Sequence, residues 1–192
     1  ADIKKIKLGQ FFTYKDYWLM PQVKAFIKDS NCPVAYDPFA GAGNLLSISD
    51  QYGINKIYGL DIDKKLKWTI NDSLLNIPTI DNAIIITNPP YIAKNSATRK
   101  NLDLIKYFQN SEYDDIYFIA LDQMLKAQKY VLAIIPETFL NSSYKNKKLL
   151  YSATILEKNP FNDTEVPIIV ACFDDEKKDL KDIKIYKNVW NR

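Results

Sequence analysis

The sequence predicts a doubly wound α/β fold with a mostly parallel sheet. Short runs of aliphatic and β-branched residues alternate along the chain with longer segments whose apolar residues recur at helical spacing. Strands that alternate with helices imply right-handed crossovers and a parallel sheet covered on both faces. The length of 192 residues fits one domain, and no repeat or long low-complexity stretch interrupts it.

The predicted elements follow from these patterns in chain order. The strands are expected at residues 34–37, 56–60, 83–87, 130–135, 152–156 and 168–173. The helices are expected at residues 17–28, 44–52, 114–128 and 142–150. The helix at 114–128 is supported by apolar residues at three- and four-residue steps, namely Ile116, Ile119, Ala120, Met124 and Ala127.

The C-terminal part departs from the alternation. Only a loop separates the runs at 152–156 and 168–173, which indicates an antiparallel hairpin at the sheet edge. A charged stretch then precedes a last short run at 183–186, which is either one more strand or the start of a linker. We therefore expect the domain to span residues 1–175, followed by a C-terminal extension over 176–192.

The composition excludes several kinds of function. The chain has no histidine, so it cannot contain a Ser-His-Asp triad, a Cys-His pair or a mixed Cys/His zinc site, and no metal is expected. Cys32 and Cys172 are far apart in sequence and form no CxxC motif, which favours a reducing, cytoplasmic location. No signal peptide or uncharged run of membrane-spanning length is present, so no membrane partner is expected.

The positive charge is mild and comes almost entirely from lysine. The net charge is +3, and only Arg99 and Arg192 among the 26 basic residues are arginine. Arginine is the usual bidentate reader of guanine edges, so the chain looks poorly equipped to read a base sequence by itself. Codon usage in an AT-rich genome would explain the same bias.

A glycine-rich turn follows the first predicted strand in the sequence VAYDPFAGAGN. Asp37 ends the strand, and Gly41 and Gly43 follow it. Glycines allow a tight turn and close backbone approach to a ligand at the carboxyl end of a strand, where open α/β sheets bind ligands. The spacing differs from the GxGxxG dinucleotide fingerprint. Taken alone, the turn is as compatible with a structural role as with a binding role.

Two acidic residues stand where a nucleoside site would need them. Asp61 ends the second predicted strand, about 20 residues after the glycine-rich turn, which is typical of an acid that holds a ribose hydroxyl pair. Asp72 follows shortly after it. The short stretch between Asp63 and Asp72 leaves little room for a full crossover helix.

The most specific motif is NPPY, which directly follows the apolar run AIIIT. Asn88 is expected to emerge at the carboxyl edge of the sheet, and the two prolines that follow it have a restricted backbone. The Asn88 side chain and the Pro89 carbonyl are thus rigid hydrogen-bond acceptors, and Tyr91 offers an aromatic face. This combination suits a planar group that carries an amino group.

Together these motifs resemble the S-adenosylmethionine-dependent DNA amino-methyltransferases of the N6-adenine type. The segments that carry the resemblance run from residue 8 to residue 173 and are LGQFFT, DPFAGAGN, GLDID, NDSLL, NPPY, YVLAIIPETFL and NPFNDTEVPIIVACF. The resemblance implies a Rossmann-like methyltransferase fold, S-adenosyl-L-methionine as the cofactor, flipped DNA adenine as the substrate and a role in a restriction system. The motif order is similar to that of the subgroup whose target-recognition domain follows the catalytic one.

The resemblance also implies roles for individual residues. The cofactor-binding positions would be Phe12, Thr13, Asp37, Gly41, Gly43, Asp61, Ile62, Asp72 and Pro90. Phe12 and Thr13 would contact the methionine end of the cofactor. Asn88 and Pro89 would hold the target amino group, while Tyr91 and Phe161 would pack on the flipped base.

The segment after NPPY and the end of the chain bear on partners. Lys94, Arg99 and Lys100 form a basic loop that is expected to contact DNA phosphates, although a basic surface loop is also ordinary. Only 19 residues remain after Phe173, so we expect either that a separate domain or subunit reads the target sequence or that the recognised sequence is very short. The alternatives are methyl transfer to RNA or to a protein glutamine, and a non-catalytic subunit that binds DNA or a partner.

Overall fold

The structure is a computed structural model that describes residues 17–48, 52–156 and 166–187. The strands are β1 (Val34–Asp37), β2 (Lys56–Asp61), β3 (Thr69–Ile70), β4 (Ala83–Thr87), β5 (Tyr130–Pro136), β6 (Leu150–Leu156), β7 (Ile168–Phe173) and β8 (Lys184–Lys187). Within the described residues they form an 8-stranded sheet in the order β3-β2-β1-β4-β5-β7-β6-β8.

The sheet is mostly parallel, as predicted. Strands β3, β2, β1, β4 and β5 pair in parallel, whereas β7 runs antiparallel to both β5 and β6. The antiparallel hairpin is therefore confirmed, but it does not form the edge, because β8 pairs in parallel with the outer side of β6. Residues 184–187 thus belong to the same sheet, while the domain boundary at residue 175 stays a prediction.

The described helices cover both faces of the sheet. They are α1 (Pro21–Asp29), α2 (Lys94–Arg99) and α3 (Ile116–Ala127). Further 3-10 turns lie at Asn44–Ser47, Asp103–Phe108, Glu137–Asn141, Lys147–Leu149 and Leu180–Asp182. The α3 helix begins where the Asp115 carboxylate accepts the backbone N–H of Tyr117 at 3.2 Å, as a helix-capping side chain does.

Strand β4 shows how the two layers are built. All of its residues are buried, with alternate side chains on opposite faces. Ile85 packs in the core cluster that contains α3, and Ile84 and Ile86 pack in the cluster that contains α1. A strand buried on both faces has a continuous apolar sequence, which is why this one could be predicted from sequence.

One predicted helix is wrong. Residues 142–150 contain only a 3-10 turn, and Leu150 already begins β6. Polar side chains satisfy the local backbone here: the Ser142 hydroxyl donates to the Phe139 carbonyl, and the Lys147 ammonium donates to the carbonyl of Ser142. Such local bonds compete with helix formation, and a segment this short has little helical stability of its own.

Of the predicted helix at 44–52, residues Asn44–Ser47 form a 3-10 turn that ends at the extended residue Ile48, and residues 49–51 lie outside the described residues. No helix in the described ranges is long and apolar enough to cross a membrane. Cys32 and Cys172 are both free and buried.

Candidate active site

A cavity opens at the carboxyl ends of β1, β2 and β4, next to the glycine-rich turn. Its volume is about 730 Å³ including the open mouth. Its walls bring together Asp37, Gly41, Asp61, Ile62, Asp72, Asn88 and Pro90, all of which the sequence predicts as site residues. Parallel strands present their carboxyl ends at one edge, so residues that are distant in sequence meet there.

The glycine-rich turn has the backbone that its glycines were predicted to allow. Gly41 and Gly43 have φ angles of 52° and 81°, in the left-handed region that side chains disfavour. The Gly43 N–H donates to the Ala40 carbonyl at 2.7 Å, and the Ala40 N–H donates to the Leu60 carbonyl at 2.9 Å. The turn is therefore tied both to itself and to the end of β2.

Asp61 connects the end of β2 to this turn. Its side chain is 3% exposed, and its two oxygens accept the backbone N–H groups of Gly41 and Asp63, each at 2.9 Å. Backbone donors fix the carboxylate in place at the wall of the cavity. A carboxylate oxygen can accept more than one hydrogen bond, so these two bonds do not by themselves prevent Asp61 from accepting another from a ligand hydroxyl.

Asp37 is the most deeply buried acid of the cavity wall. Burial raises its pKa to about 7, and the nearby charge of Asp61 adds to the rise. Hydrogen bonds from the Thr87 hydroxyl at 2.5 Å and from the Phe39 backbone N–H at 2.9 Å act in the opposite direction. A bound cationic group beside Asp37 would favour the ionised form.

This raised pKa predicts how stability depends on pH. The folded chain keeps the Asp37 proton up to about pH 7, whereas the ordinary pKa of an aspartate is 3.8, so the folded state binds more protons between these two values. The free energy of unfolding should therefore fall as pH rises through this window. Asp37→Asn removes the titrating group, so at pH 8 it should be more stable than wild type by about 2–4 kcal/mol.

Urea unfolding of both proteins at pH 5 and pH 8 tests this expectation. Burial also raises the pKa of Asp115 to about 6, and this group is present in both proteins. The difference between wild type and variant therefore isolates Asp37. An equal loss of stability in the two proteins between pH 5 and pH 8 would contradict the assignment.

Asp72 lies in the cavity wall although no crossover helix precedes it. Its Oδ1 accepts the Leu74 N–H at 3.3 Å, and its Oδ2 accepts the hydroxyl of Tyr107 at 2.6 Å. Tyr107 also lines the cavity, from the 3-10 turn that follows α2. Sequence reasoning missed Tyr107, since no motif marks it and its partner is distant along the chain.

The bond to Asp72 should stabilise the fold measurably. Tyr107→Phe keeps the ring and removes the hydroxyl, so the free energy of unfolding should fall by about 1.5 kcal/mol, as for a hydrogen bond to a charged group. Tyr58, which is exposed on β2, provides the matched control. Chemical denaturation should show a loss in Tyr107→Phe and almost none in Tyr58→Phe; equal stabilities would argue against the bond.

The NPPY motif follows β4 as predicted and is almost entirely buried. Asn88 is 8% exposed and, with Pro90, lines the cavity. Pro89 is buried between them. Tyr91 is 6% exposed and belongs to the core cluster around α3. Its proposed stacking on a base stays a prediction.

The basic residues after NPPY lie on a short helix, not in a loop. Lys94, Arg99 and Lys100 are exposed on or next to α2. The segment is anchored by the backbone N–H of Lys94, which donates to the Asp114 carbonyl at 2.7 Å. Exposed cations on this helix are compatible with the predicted contact to phosphates, which stays a prediction.

Three predicted site residues, Phe12, Thr13 and Phe161, lie outside the described residues.

A second residue missed by sequence reasoning is Trp68, whose indole N–H donates to the Gly41 carbonyl at 2.8 Å. In the ranges 17–48, 52–156 and 166–187, no group of at least 3 His, Cys, Asp or Glu residues is arranged to hold a metal ion.

The fold and the position of the cavity define the class. The chain has the fold of the class I S-adenosylmethionine-dependent methyltransferases. Residues 80–166, which include NPPY, match the family model described as Eco57I restriction-modification methylase. The resemblance that the motifs indicate is thereby confirmed over this stretch. No sequence among curated proteins matches the chain significantly.

Solved structures show the same fold at low sequence identity. A protein from Listeria monocytogenes, described as a class I S-adenosylmethionine-dependent methyltransferase, has a TM-score of 0.56 and 15% identity over 90% of this chain and 67% of its own. The methyltransferase subunit of a type I restriction-modification system from Streptococcus thermophilus has a TM-score of 0.58 and 16% identity over 86% of this chain and 45% of its own.

A third structure is a modification subunit of a type I restriction enzyme from Vibrio vulnificus. It has a TM-score of 0.59 and 14% identity, and the match covers 96% of this chain and 48% of that one. The chain therefore spans less than half the length of both restriction-modification subunits.

Proposed function

We propose that the chain is the catalytic part of a DNA methyltransferase that transfers a methyl group to the N6 amino group of adenine. The observation that carries the proposal is the cavity in which Asp61 and Asp72 face the same space as Asn88 of the NPPY motif. The family match over residues 80–166 supports a restriction-modification methylase. DNA is the proposed partner, and a further domain or subunit would read the target sequence.

The lining of the cavity suits S-adenosylmethionine in its chemistry. It combines the carboxylates of Asp61 and Asp72 with the apolar side chain of Ile62. We propose that Asp61 accepts hydrogen bonds from the ribose hydroxyls of the cofactor. Ile62 would pack against the adenine ring of the cofactor, and Asp72 would accept a hydrogen bond from the amino group of that ring. Asp37 would lie near the cofactor ammonium. When bound, the cofactor supplies a methyl group carried on a sulfonium.

The residues of NPPY would activate the amino group of the target. The lone pair of an exocyclic amine is delocalised into the ring, which makes the amine a weak nucleophile. The Asn88 side-chain oxygen and the Pro89 carbonyl would each accept a hydrogen bond from one N–H of this amine. The two hydrogen bonds would draw the nitrogen toward tetrahedral geometry and so localise its lone pair. The protein thus supplies orientation and acceptors, and no histidine is needed.

Access to this site requires an unstacked base. An amino group inside a duplex cannot reach the buried Asn88, so the adenine would be extruded into the cavity. The exposed cations Lys94, Arg99 and Lys100 would contact the phosphates beside it. These contacts position the DNA without specifying its sequence, in keeping with the scarcity of arginine.

A methyl-incorporation assay tests the proposal. The chain is incubated with S-adenosylmethionine carrying a labelled methyl group and with duplex DNA, RNA or a protein mixture, with and without the product of the neighbouring gene. Digestion of the DNA to nucleosides and mass spectrometry should then show labelled N6-methyladenine. Label on cytosine, RNA or protein would show that this molecule, and not adenine in DNA, is the substrate. No label in any arm would indicate a non-catalytic subunit.

A further inference from the structure

The connection between β2 and β3 is unusually short for parallel strands. The two strands pair in parallel through Leu60 with Thr69 and Asp61 with Ile70, so only residues 62–68 connect them. Parallel neighbours normally need a crossover of about a dozen residues, usually a helix. Residues 62–68 contain no helix. The part of β2 nearest the cavity is therefore not covered by a helix from this connection.

The Trp68 side chain covers this part of the sheet. A Cβ added at Gly59 would lie 2.5 Å from Cδ2 and 2.9 Å from Cζ3 of the indole. A Cβ added at Gly43 would lie 2.7 Å from its Cζ2. Atoms cannot approach so closely, so the indole leaves no room for a side chain at either position. At position 59 the indole is what requires glycine, whereas at position 43 the left-handed φ of 81° already favours glycine.

Trp68 also holds the glycine-rich turn from one side. Its indole N–H donates to the Gly41 carbonyl at 2.8 Å, while the Gly41 N–H donates to Asp61 Oδ2 at 2.9 Å. In a trans peptide the C=O and the following N–H point in opposite directions. The carbonyl held by Trp68 therefore turns the N–H of Ala42 away from the indole, and Ala42 lines the cavity.

We propose that Trp68 is a positioning residue for the cofactor. It takes the place of the missing crossover helix, packs on Gly43 and Gly59, and orients the peptide between Gly41 and Ala42 toward the cavity. The inference rests on the proposed function in that the ligand is S-adenosylmethionine. It assigns the role to a residue outside every motif of the sequence.

The first test removes the indole N–H and keeps an aromatic ring. Trp68→Phe should weaken the binding of S-adenosylmethionine by about threefold to tenfold, the effect of one hydrogen bond, in titration calorimetry of the full chain. Trp18→Phe is the matched control, because Trp18 is 1% exposed in the core cluster around α1. That variant should lose thermal stability but keep wild-type affinity. Wild-type affinity in Trp68→Phe would overturn the positioning role.

The second test addresses the packing through a double-mutant cycle. Gly59→Ala should lower the melting temperature in the wild-type background, because the new methyl group meets the indole. In the Trp68→Ala background the same substitution should have little effect, since the obstructing ring is gone. An equal loss from Gly59→Ala in both backgrounds would show that the indole is not what requires glycine there.

The two tests separate this inference from the proposed function. If wild type binds S-adenosylmethionine and Trp68→Phe binds it equally well, the inference fails and the proposed function stands. If wild type does not bind S-adenosylmethionine, the proposed function and the cofactor role of Trp68 both fail. In that case the melting temperatures of the double-mutant cycle still test whether Trp68 packs on Gly59.

Discussion

Replacing Asn88 with alanine is expected to lower the rate of methyl transfer by about 1000-fold or more while leaving cofactor affinity nearly unchanged. Asn88 lines the cavity at the end of β4, and its proposed partner is the amino group of the target base. Removal of one preorganised hydrogen-bonding group aimed at a reacting centre typically costs 100- to 1000-fold, and here the group also determines the nucleophilicity of the amine.

Single-turnover kinetics with labelled cofactor, together with titration calorimetry, provide the two measurements. Asn110→Ala is the control, since Asn110 is exposed on a surface turn and should leave both quantities at wild-type values. A low rate with unchanged affinity would place Asn88 at the reacting amine. A wild-type rate in Asn88→Ala would remove it from the site and refute the proposed chemistry.

Replacing Asp61 with alanine should instead act on the cofactor. We expect the dissociation constant of S-adenosylmethionine to rise by about 100-fold, because hydrogen bonds to a buried carboxylate are strong. Alanine also leaves the N–H groups of Gly41 and Asp63 without their acceptor. Part of the loss will therefore come from a disturbed turn, and the design must separate the two effects.

A ligand that lacks the ribose hydroxyls makes this separation. S-adenosylhomocysteine and an analogue without the two hydroxyls are titrated against wild type, Asp61→Asn and Asp61→Ala. If Asp61 holds the hydroxyls, their removal should cost affinity in wild type and very little in Asp61→Ala. An equal cost in all three proteins would show that Asp61 acts only on the turn.

Elements with buried, continuous apolar runs could be predicted almost residue by residue. Strands β1, β4 and β7 begin and end where the sequence predicts, since each is rich in apolar residues and bounded by polar or turn-forming residues. The helix prediction for residues 142–150 was wrong because this segment is short and polar. Its local side-chain hydrogen bonds cannot be predicted without coordinates. The two-residue strand β3 was missed for its length.

The candidate site divides in the same way. Asp37, Asp61 and Asn88 could be predicted because each ends or follows an apolar strand, and the carboxyl ends of parallel strands converge. Trp68 and Tyr107 could not. They act on Gly41 and Asp72 through bonds that depend on how two connecting segments fold back over the sheet.

The sequence by itself determined the fold class, the positions of the central strands along the chain and the set of residues at their carboxyl ends. These properties follow from local sequence patterns, since burial and turn formation restrict which residue types occur at neighbouring positions. The tertiary structure alone decided that an indole covers the turn, that Tyr107 bonds to Asp72 and that Tyr91 lies buried. Contacts between segments distant in sequence produce no local sequence pattern, because they depend on the relative placement of whole elements.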